Sequence, residues 1–293
     1  MIRVSRLVLE KVTSSYGRFF ESIARLPAEK CARDVLDETK VHDQVAVLCE
    51  TTGMRPEDLR GKKVLEVGSG FGIFVNVTRR DYSCETVGLE PAEQGFDTSF
   101  ELGRQILAEY GTPPDAIIDA KGESMPFPDG TFDLVYSSTV LEHTDDPKAV
   151  IREALRVLKP GGCMQFVFPN YASFFEGHYA IPWIPYMNNR LGAAWVRLFG
   201  RDPSFMRGLK LLTYRKVRRW MHEMPEAEVL TYGQGVFTRR MRDFEIRDWA
   251  GLGKLRAWIG FVRRLRLVGA VTKLMVAAGS FEPIVLTVVK RHR

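Results

Sequence analysis

From Ser5 to Thr52 the apolar positions Leu7, Val8 and Val12, then Phe19, Phe20, Ile23 and Leu26, recur at intervals of three and four, the period of an amphipathic helix. Gly17 and Pro27 are expected to break this helical cap. At Gly61-Lys62-Lys63 the period changes. Val64-Leu65-Glu66-Val67 is a short β-prone run closed by glycines, the pattern of a buried parallel strand that feeds a helix. Further strands are expected at Thr86 to Leu89, Ala116 to Ile118, Phe132 to Ser137 and Cys163 to Phe168, the last after a helix from Pro147 to Leu158 and a turn at Lys159-Pro160-Gly161-Gly162. Alternating strands and helices imply an α/β fold: a doubly wound, mainly parallel sheet with its ligand at the carboxyl ends of the strands.

After Phe168 the pattern turns aromatic and proline-rich. Asn170 to Phe205 is too long and too apolar for a simple connection and is read as a lid or acceptor lobe. Helical periodicity returns at Thr213 to Met221, with Thr213 as N-cap, then a weak strand around Val229 to Tyr232. Arg247 to Ala278 is mostly helical, and Ile284 to Val289 is a strong closing strand. The chain thus divides into an N-terminal helical cap (1–60), a core (61–169), a lid or acceptor insertion (170–212) and a C-terminal part of the core (213–293) with a basic helical insertion at about 240–280. Within that insertion Leu255, Ile259, Val262 and Leu265 form an apolar stripe among Lys254, Arg256, Arg263, Arg264 and Arg266. Such a helix either approaches an anionic membrane or packs on the sheet with its long side chains reaching solvent.

Of the 293 residues, 45% are hydrophobic and 27% charged, a globular composition that disfavours disorder. Cys31, Cys49, Cys84 and Cys163 are scattered without a CxxC pair, so neither a zinc ribbon nor a disulfide framework is indicated and a reduced cytoplasm suits them. The N-terminus lacks the uninterrupted apolar stretch of a signal peptide, and charges interrupt every candidate membrane span. The expectation is a cytoplasmic protein, soluble or peripheral at the membrane. Net charge of +6 permits an anionic partner but does not choose one.

The central chemistry lies in Glu66-Val67-Gly68-Ser69-Gly70-Phe71-Gly72, directly after a strand. Glycines let backbone approach a ligand closely, and the next helix offers unpaired N–H groups. The spacing is GxGxG, with Ile73 where the dinucleotide fingerprint places its third glycine, so a nucleoside has the better claim than a pyrophosphate. Glu90, ending the second strand, is placed to accept hydrogen bonds from two ribose hydroxyls.

These blocks, with Gly88-Leu89-Glu90, Glu123-Ser124-Met125-Pro126-Phe127-Pro128-Asp129-Gly130-Thr131-Phe132-Asp133-Leu134-Val135, Leu141-Glu142-His143 and Leu158-Lys159-Pro160-Gly161-Gly162, resemble the class I S-adenosylmethionine-dependent methyltransferases, in particular the group acting on small molecules. The likeness covers Lys62 to Phe168. It implies a Rossmann-like sheet of seven strands with the last antiparallel. It further implies that Glu66 and Gly68, Ser69, Gly70 and Gly72 hold the methionine part of S-adenosylmethionine, that Glu90 holds the ribose, and that Gly122, Glu123, Ser124 and Met125 lie against the adenine. Where the family often has an acid facing the adenine amino group this chain has Lys121, which leaves Asp119 or backbone to do that work. Asp133 has a structural reading, orientation of the fourth strand, and is left out of catalysis.

Methyl transfer needs an in-line acceptor lone pair and, for a hydroxyl acceptor, a base. His178, in Phe174-Phe175-Glu176-Gly177-His178-Tyr179, is the first candidate and His143 the second; each also reads as a packed or loop-holding histidine. Tyr179, Trp183 and Tyr186 are either lobe core or an aromatic wall for the acceptor. No metal is expected, because the carboxylates form no oxygen-ligand pattern and no His/Cys spacing suggests zinc. The leading reading is O-methylation of a small molecule or glycan, with a lipid-linked acceptor included. The alternatives are C- or N-methylation of a quinone-like or lipid acceptor, and, further off, a nucleic-acid methyltransferase or a non-catalytic scaffold that keeps cofactor binding.

Overall fold

In a computed structural model, the described residues are 4–93, 97–243 and 267–292, together with Gly260 and Arg264. Among the described residues nine strands form two sheets. The main sheet joins β1 (Lys63–Val67), β2 (Glu85–Leu89), β3 (Ile117–Ile118), β4 (Phe132–Ser138), β5 (Leu158–Phe168), β8 (Ala227–Thr231) and β9 (Ile284–Lys290) in the order β3-β2-β1-β4-β5-β9-β8. All its pairings are parallel except those of β9, which runs antiparallel to both β5 and β8. Seven strands with the last reversed is the expected architecture.

Alternate residues of the strands feed opposite cores, as period-2 patterning requires. Leu65, Val67, Val135 and Met164 pack with α7 (Pro147–Val157) and α10 (Tyr214–His222). Val64, Leu134, Tyr136 and Cys163 face α4 (Thr39–Thr52) and α5 (Ile73–Asp81). Asp133 accepts hydrogen bonds from the Lys63 N–H (2.9 Å) and Lys159 Nζ (2.8 Å), tying β4 to both neighbouring strands, which is the structural role expected of it. The Lys159 to Gly162 turn lies inside β5: pairing with β4 passes from Phe132–Leu158 to Leu134–Cys163, and the register shift absorbs Gly161 at φ +77°.

At the N-terminus, Pro27 ends a helix, but Gly17 does not. α1 (Arg6–Val12) continues through a π-helical turn (Thr13–Gly17) into α2 (Arg18–Ala24) before α3 (Ala28–Val35). A Cβ at Gly17 would stand 2.3 Å from the Ala28 carbonyl oxygen, so glycine here serves close packing, not chain breaking. The acceptor lobe comprises a hairpin of two-residue strands, β6 (Phe175–Glu176) with β7 (Ile181–Pro182), then α8 (Asn189–Leu198) and α9 (Ser204–Gly208). It shares one apolar cluster with α2, in which Ile23 and Ala24 meet Tyr179, Trp183, Val196 and Met206. α2 and the lobe therefore pack as one unit, while α1, α3 and α4 pack against the sheet. Thr213 caps α10 by accepting from the Lys216 N–H. The chain closes through α11 (Gln234–Asp243) and α12 (Val268–Ala278) into β9. Of the expected basic helical insertion, most of the Gly251 to Lys273 stripe lies outside the described residues. Among the described residues no helix is long and apolar enough to cross a membrane.

Candidate functional site

Between β1 and α5 the chain turns through Gly68, Gly70 and Gly72 at φ of +74°, +50° and +70°, the left-handed region where a Cβ is costly. A Cβ on Gly68 would stand 2.3 Å from Val140 Cγ2; one on Gly70, which lines the main cavity, would meet no protein atom within 4 Å. Glu90, buried at the end of β2, accepts a hydrogen bond from the Gly70 N–H at 2.8 Å. Burial pushes its carboxyl up to about 7, against the pull of that N–H. Burial and the neighbouring Glu90 likewise hold Glu66 well above the ordinary carboxylate value. Glu66 Oε2 and Ser69 Oγ are buried without a hydrogen-bond partner, which a folded protein tolerates at about 1–3 kcal/mol each unless a ligand meets them. A glycine cradle in the left-handed region, two unbonded polar atoms and an acid at the next strand end fit an amino-acid nucleoside such as S-adenosylmethionine.

The block expected against the adenine divides. Gly122 and Glu123 line the cavity beside Ala120 and Lys121, but Glu123 Oε1 already accepts from the Asp145 and Asp146 N–H groups at 2.8 and 3.2 Å. Ser124 and Met125 are not among the cavity walls. The Ser124 N–H closes a turn on the Lys121 carbonyl (3.3 Å), which carries the chain away, and Met125 is buried in the core beside α7. Asp119 accepts from the Ala92 N–H, and Lys121 pairs with Glu93 at 3.0 Å.

One cavity of about 2440 Å³ runs from the glycine loop to the lobe. Its aromatic lining includes Tyr16, Phe19 and Phe20 of the cap with Phe174, Phe175 and Phe205 of the lobe. Tyr179, Trp183 and Tyr186 do not form that wall. Tyr179 and Trp183 are buried in the lobe, where the Tyr179 hydroxyl accepts from the Met206 N–H at 3.0 Å and Trp183 Nε1 donates to the Tyr171 carbonyl at 3.3 Å; Tyr186 is half exposed beside Arg215. Aromatic spacing alone does not distinguish the inside of a lobe from its lining. The contribution of Phe19 and Phe20, some 150 residues upstream, left no local signal.

Both candidate histidines line the cavity, with ring centroids 5.2 Å apart and Phe205 within 5.5 Å of each. His178 Nδ1 lies 2.8 Å from Glu176 Oε1, and its Nε2 is 3.7 Å from Glu142 Oε1. Burial alone would lower the His178 pKa, but Glu176, by charge and hydrogen bond, and then Glu142 and Glu282 raise it above its ordinary value. His143 is pushed down to about 3 by burial and then by His178. Glu142 is fully buried, neither carboxylate oxygen has a hydrogen bond, and burial holds it at about 7. Glu282, pushed up to about 8 by burial, hydrogen-bonds the Ser173 hydroxyl at the same end of the cavity. Glu142, His143 and His178 each offer a donor atom within 4.8 Å of the others, a set that could also hold a divalent cation. Sequence spacing did not show this trio, because 35 residues separate the turn carrying two of them from the lobe carrying the third.

Asn170, which follows β5, joins the lobe to the end of the chain. Its Nδ2 donates to the Gly279 and Phe281 carbonyls and its Oδ1 accepts from the Ala172 and Tyr214 N–H groups, so it clamps the lobe to the C-terminal segment.

Residues 65–166 match the methyltransferase domain family. The chain is 36% identical over 106 residues to the sarcosine/dimethylglycine N-methyltransferase of Halorhodospira halochloris, covering 36% of each chain. It is 29% identical over 168 residues to an uncharacterized methyltransferase of Mycobacteroides abscessus, covering 56% of this chain and 62% of that one. Less than two thirds of either relative's length is matched. Among solved structures, the [4+2]-cyclase SpnF shares the fold, with a TM-score of 0.50 at 16% identity over 98% of this chain and 94% of that chain.

Proposed function

We propose that the protein, whose residues 65–166 match the methyltransferase domain family, is a class I S-adenosylmethionine-dependent methyltransferase that methylates an oxygen of a small-molecule or glycan acceptor, lipid-linked acceptors included, with His178 as the base. The bound cofactor supplies an electrophilic methyl group. The loop Gly68 to Gly72, with Glu66, Ser69 and Glu90, holds it at the carboxyl ends of β1 and β2. The Glu176–His178 contact carries the reading. A carboxylate on Nδ1 fixes the ring and its tautomer, leaves the Nε2 lone pair for an acceptor hydroxyl, and stabilises the imidazolium that forms as the proton arrives. His143, held at about 3, is too weak a base for that step near neutral pH. A cavity several times larger than the usual 300–1,000 Å³ or so of a small-ligand pocket leaves room for a bulky apolar acceptor beside the cofactor.

One observation favours a second reading, N-methylation. The buried carboxyl of Glu142 and the half-buried one of Glu282, which lines the cavity, would suit a cationic amine, and the Halorhodospira relative is an N-methyltransferase. Incubation with isotopically labelled cofactor and paired hydroxyl and amine acceptors, read by mass spectrometry, decides between them. Label in hydroxyl products that disappears in His178→Ala supports the oxygen reading, whereas label confined to amines overturns it.

A further inference from the structure

We propose that the outer face of the lobe docks on an anionic lipid membrane and presents the cavity mouth to it. This rests on the reading that the cavity takes an acceptor, and it concerns α8, not the segment at Gly251 to Lys273. α8 turns Gly192, Ala193 and Val196 into the lobe. Its other side carries Leu191, Trp195 and Leu198 at intervals of four and three, with Leu191 58% and Leu198 75% exposed. Trp195 stacks edge-on against Phe199 at 5.4 Å and donates through Nε1 to the Pro182 carbonyl at 2.8 Å, which joins the helix to the hairpin. Next along the chain, Ile184 is 48% exposed, and Phe174, whose carbonyl accepts from the Trp183 N–H, is 58% exposed while also lining the cavity. The apolar ridge of α8 is thus tied through the hairpin to Ile184 and to Phe174 at the cavity, more than the single scattered side chains normal on a soluble surface.

Charge identifies the occupant. From Gly177 to His222 the sequence holds nine Lys and Arg and one acid, Asp202, a net +8 in a chain whose total is +6. Five of these nine cations lie on the lobe, which with Glu176 and Asp202 is net +3 over 170–212, and four lie on α10, which meets the lobe where Arg215 stacks over Tyr186. Arg190 and Arg197 flank the apolar stripe seven residues apart on α8, both exposed. Apolar side chains that enter the headgroup boundary, a tryptophan among them and arginines beside them are the features by which a peripheral helix binds anionic lipid. A second protein would satisfy the ridge but not the concentration of charge; nucleic acid would satisfy the charge but not the leucines.

The test is co-sedimentation of the full chain with phosphatidylglycerol and phosphatidylcholine vesicles across a salt series, with cofactor affinity measured in parallel to show an intact fold. Binding is expected to phosphatidylglycerol and to fall steeply with salt. Leu191→Glu/Leu198→Glu and, separately, Arg190→Gln/Arg197→Gln are each expected to weaken it about tenfold or more while leaving cofactor affinity unchanged. Absence of binding at low salt, equal binding to both lipids, or retention by a DNA duplex that the leucine substitutions do not affect each overturns the proposal. Vesicle binding requires no turnover, so its loss leaves the methyl-transfer reading standing, and a protein that binds vesicles but transfers no label fails that reading alone.

Discussion

Glu176 Oε1 stands 2.8 Å from His178 Nδ1, and the same carboxylate accepts from the Tyr179 N–H at 2.7 Å and the Tyr171 hydroxyl at 3.3 Å. The glutamate is fixed by the lobe before it fixes the ring. His178→Ala should lower kcat by about 10²–10⁴ with cofactor affinity changed by less than about twofold. Glu176→Gln should cost less in rate and move the acid limb of the kcat profile to lower pH, because the charge that raises the His178 pKa is gone. Steady-state kinetics with calorimetry on the same preparations checks both. A larger loss in His143→Ala than in His178→Ala would transfer the role.

The same nitrogen cannot serve both a proton and a metal ion. With Nε2 of His178 as the base, activity should survive dialysis against a strong chelator. Abolition by the chelator and recovery on adding zinc or magnesium would turn Glu142, His143 and His178 into a metal site and remove His178 from base catalysis.

The core was legible because its signals are local. β1, the glycine loop and Glu90 lie within thirty residues of one another, and strand periodicity with glycine spacing placed all three. The lobe was legible only as a departure from that pattern. Its composition marked Asn170 to Phe205 as extra, but the division into walls and interior depends on α2 packing beneath it, a contact no sequence period records. Glu142 illustrates the limit: its motif was visible, while the full burial that leaves both its oxygens unbonded arises only when the lobe brings His178 over it. The family resemblance placed Ser124 and Met125 in one adenine-facing block with Gly122 and Glu123, and one turn at Lys121 carries them away from the cavity.

The glycines of the loop differ in what a side chain would meet, and their variants should differ in kind. Gly70→Val should weaken cofactor binding by about tenfold or more, with a smaller loss of stability from its positive φ of roughly 1–2 kcal/mol. Gly68→Ala adds a collision with Val140 to the same backbone penalty and should lower the melting temperature more than Gly70→Val does. Calorimetric affinities beside thermal melts separate the two. Equal cofactor affinity in wild type and Gly70→Val would detach the loop from the cofactor.

Glu90 gives the site a pH dependence whose sign follows from its environment. Its carboxyl is held at about 7 by burial, above the ordinary 4.5. Ribose hydroxyls donate best to the ionised form, and ionisation of such a group falls from about nine tenths at pH 8 to about one tenth at pH 6. Cofactor affinity should therefore drop about tenfold across that interval, and in Glu90→Gln it should be flat and already weaker at pH 8. The ligand-free protein should show the opposite slope from this group. Because the folded value is raised, its contribution to stability is fully present below about 4.5 and is lost as pH rises through about 7. Thermal melts with and without saturating cofactor should then diverge between pH 6 and 8, the stabilisation by cofactor growing as the free protein weakens. A cofactor-induced shift that stays constant over that range, or that shrinks with rising pH, would show that Glu90 is not the group the ribose meets.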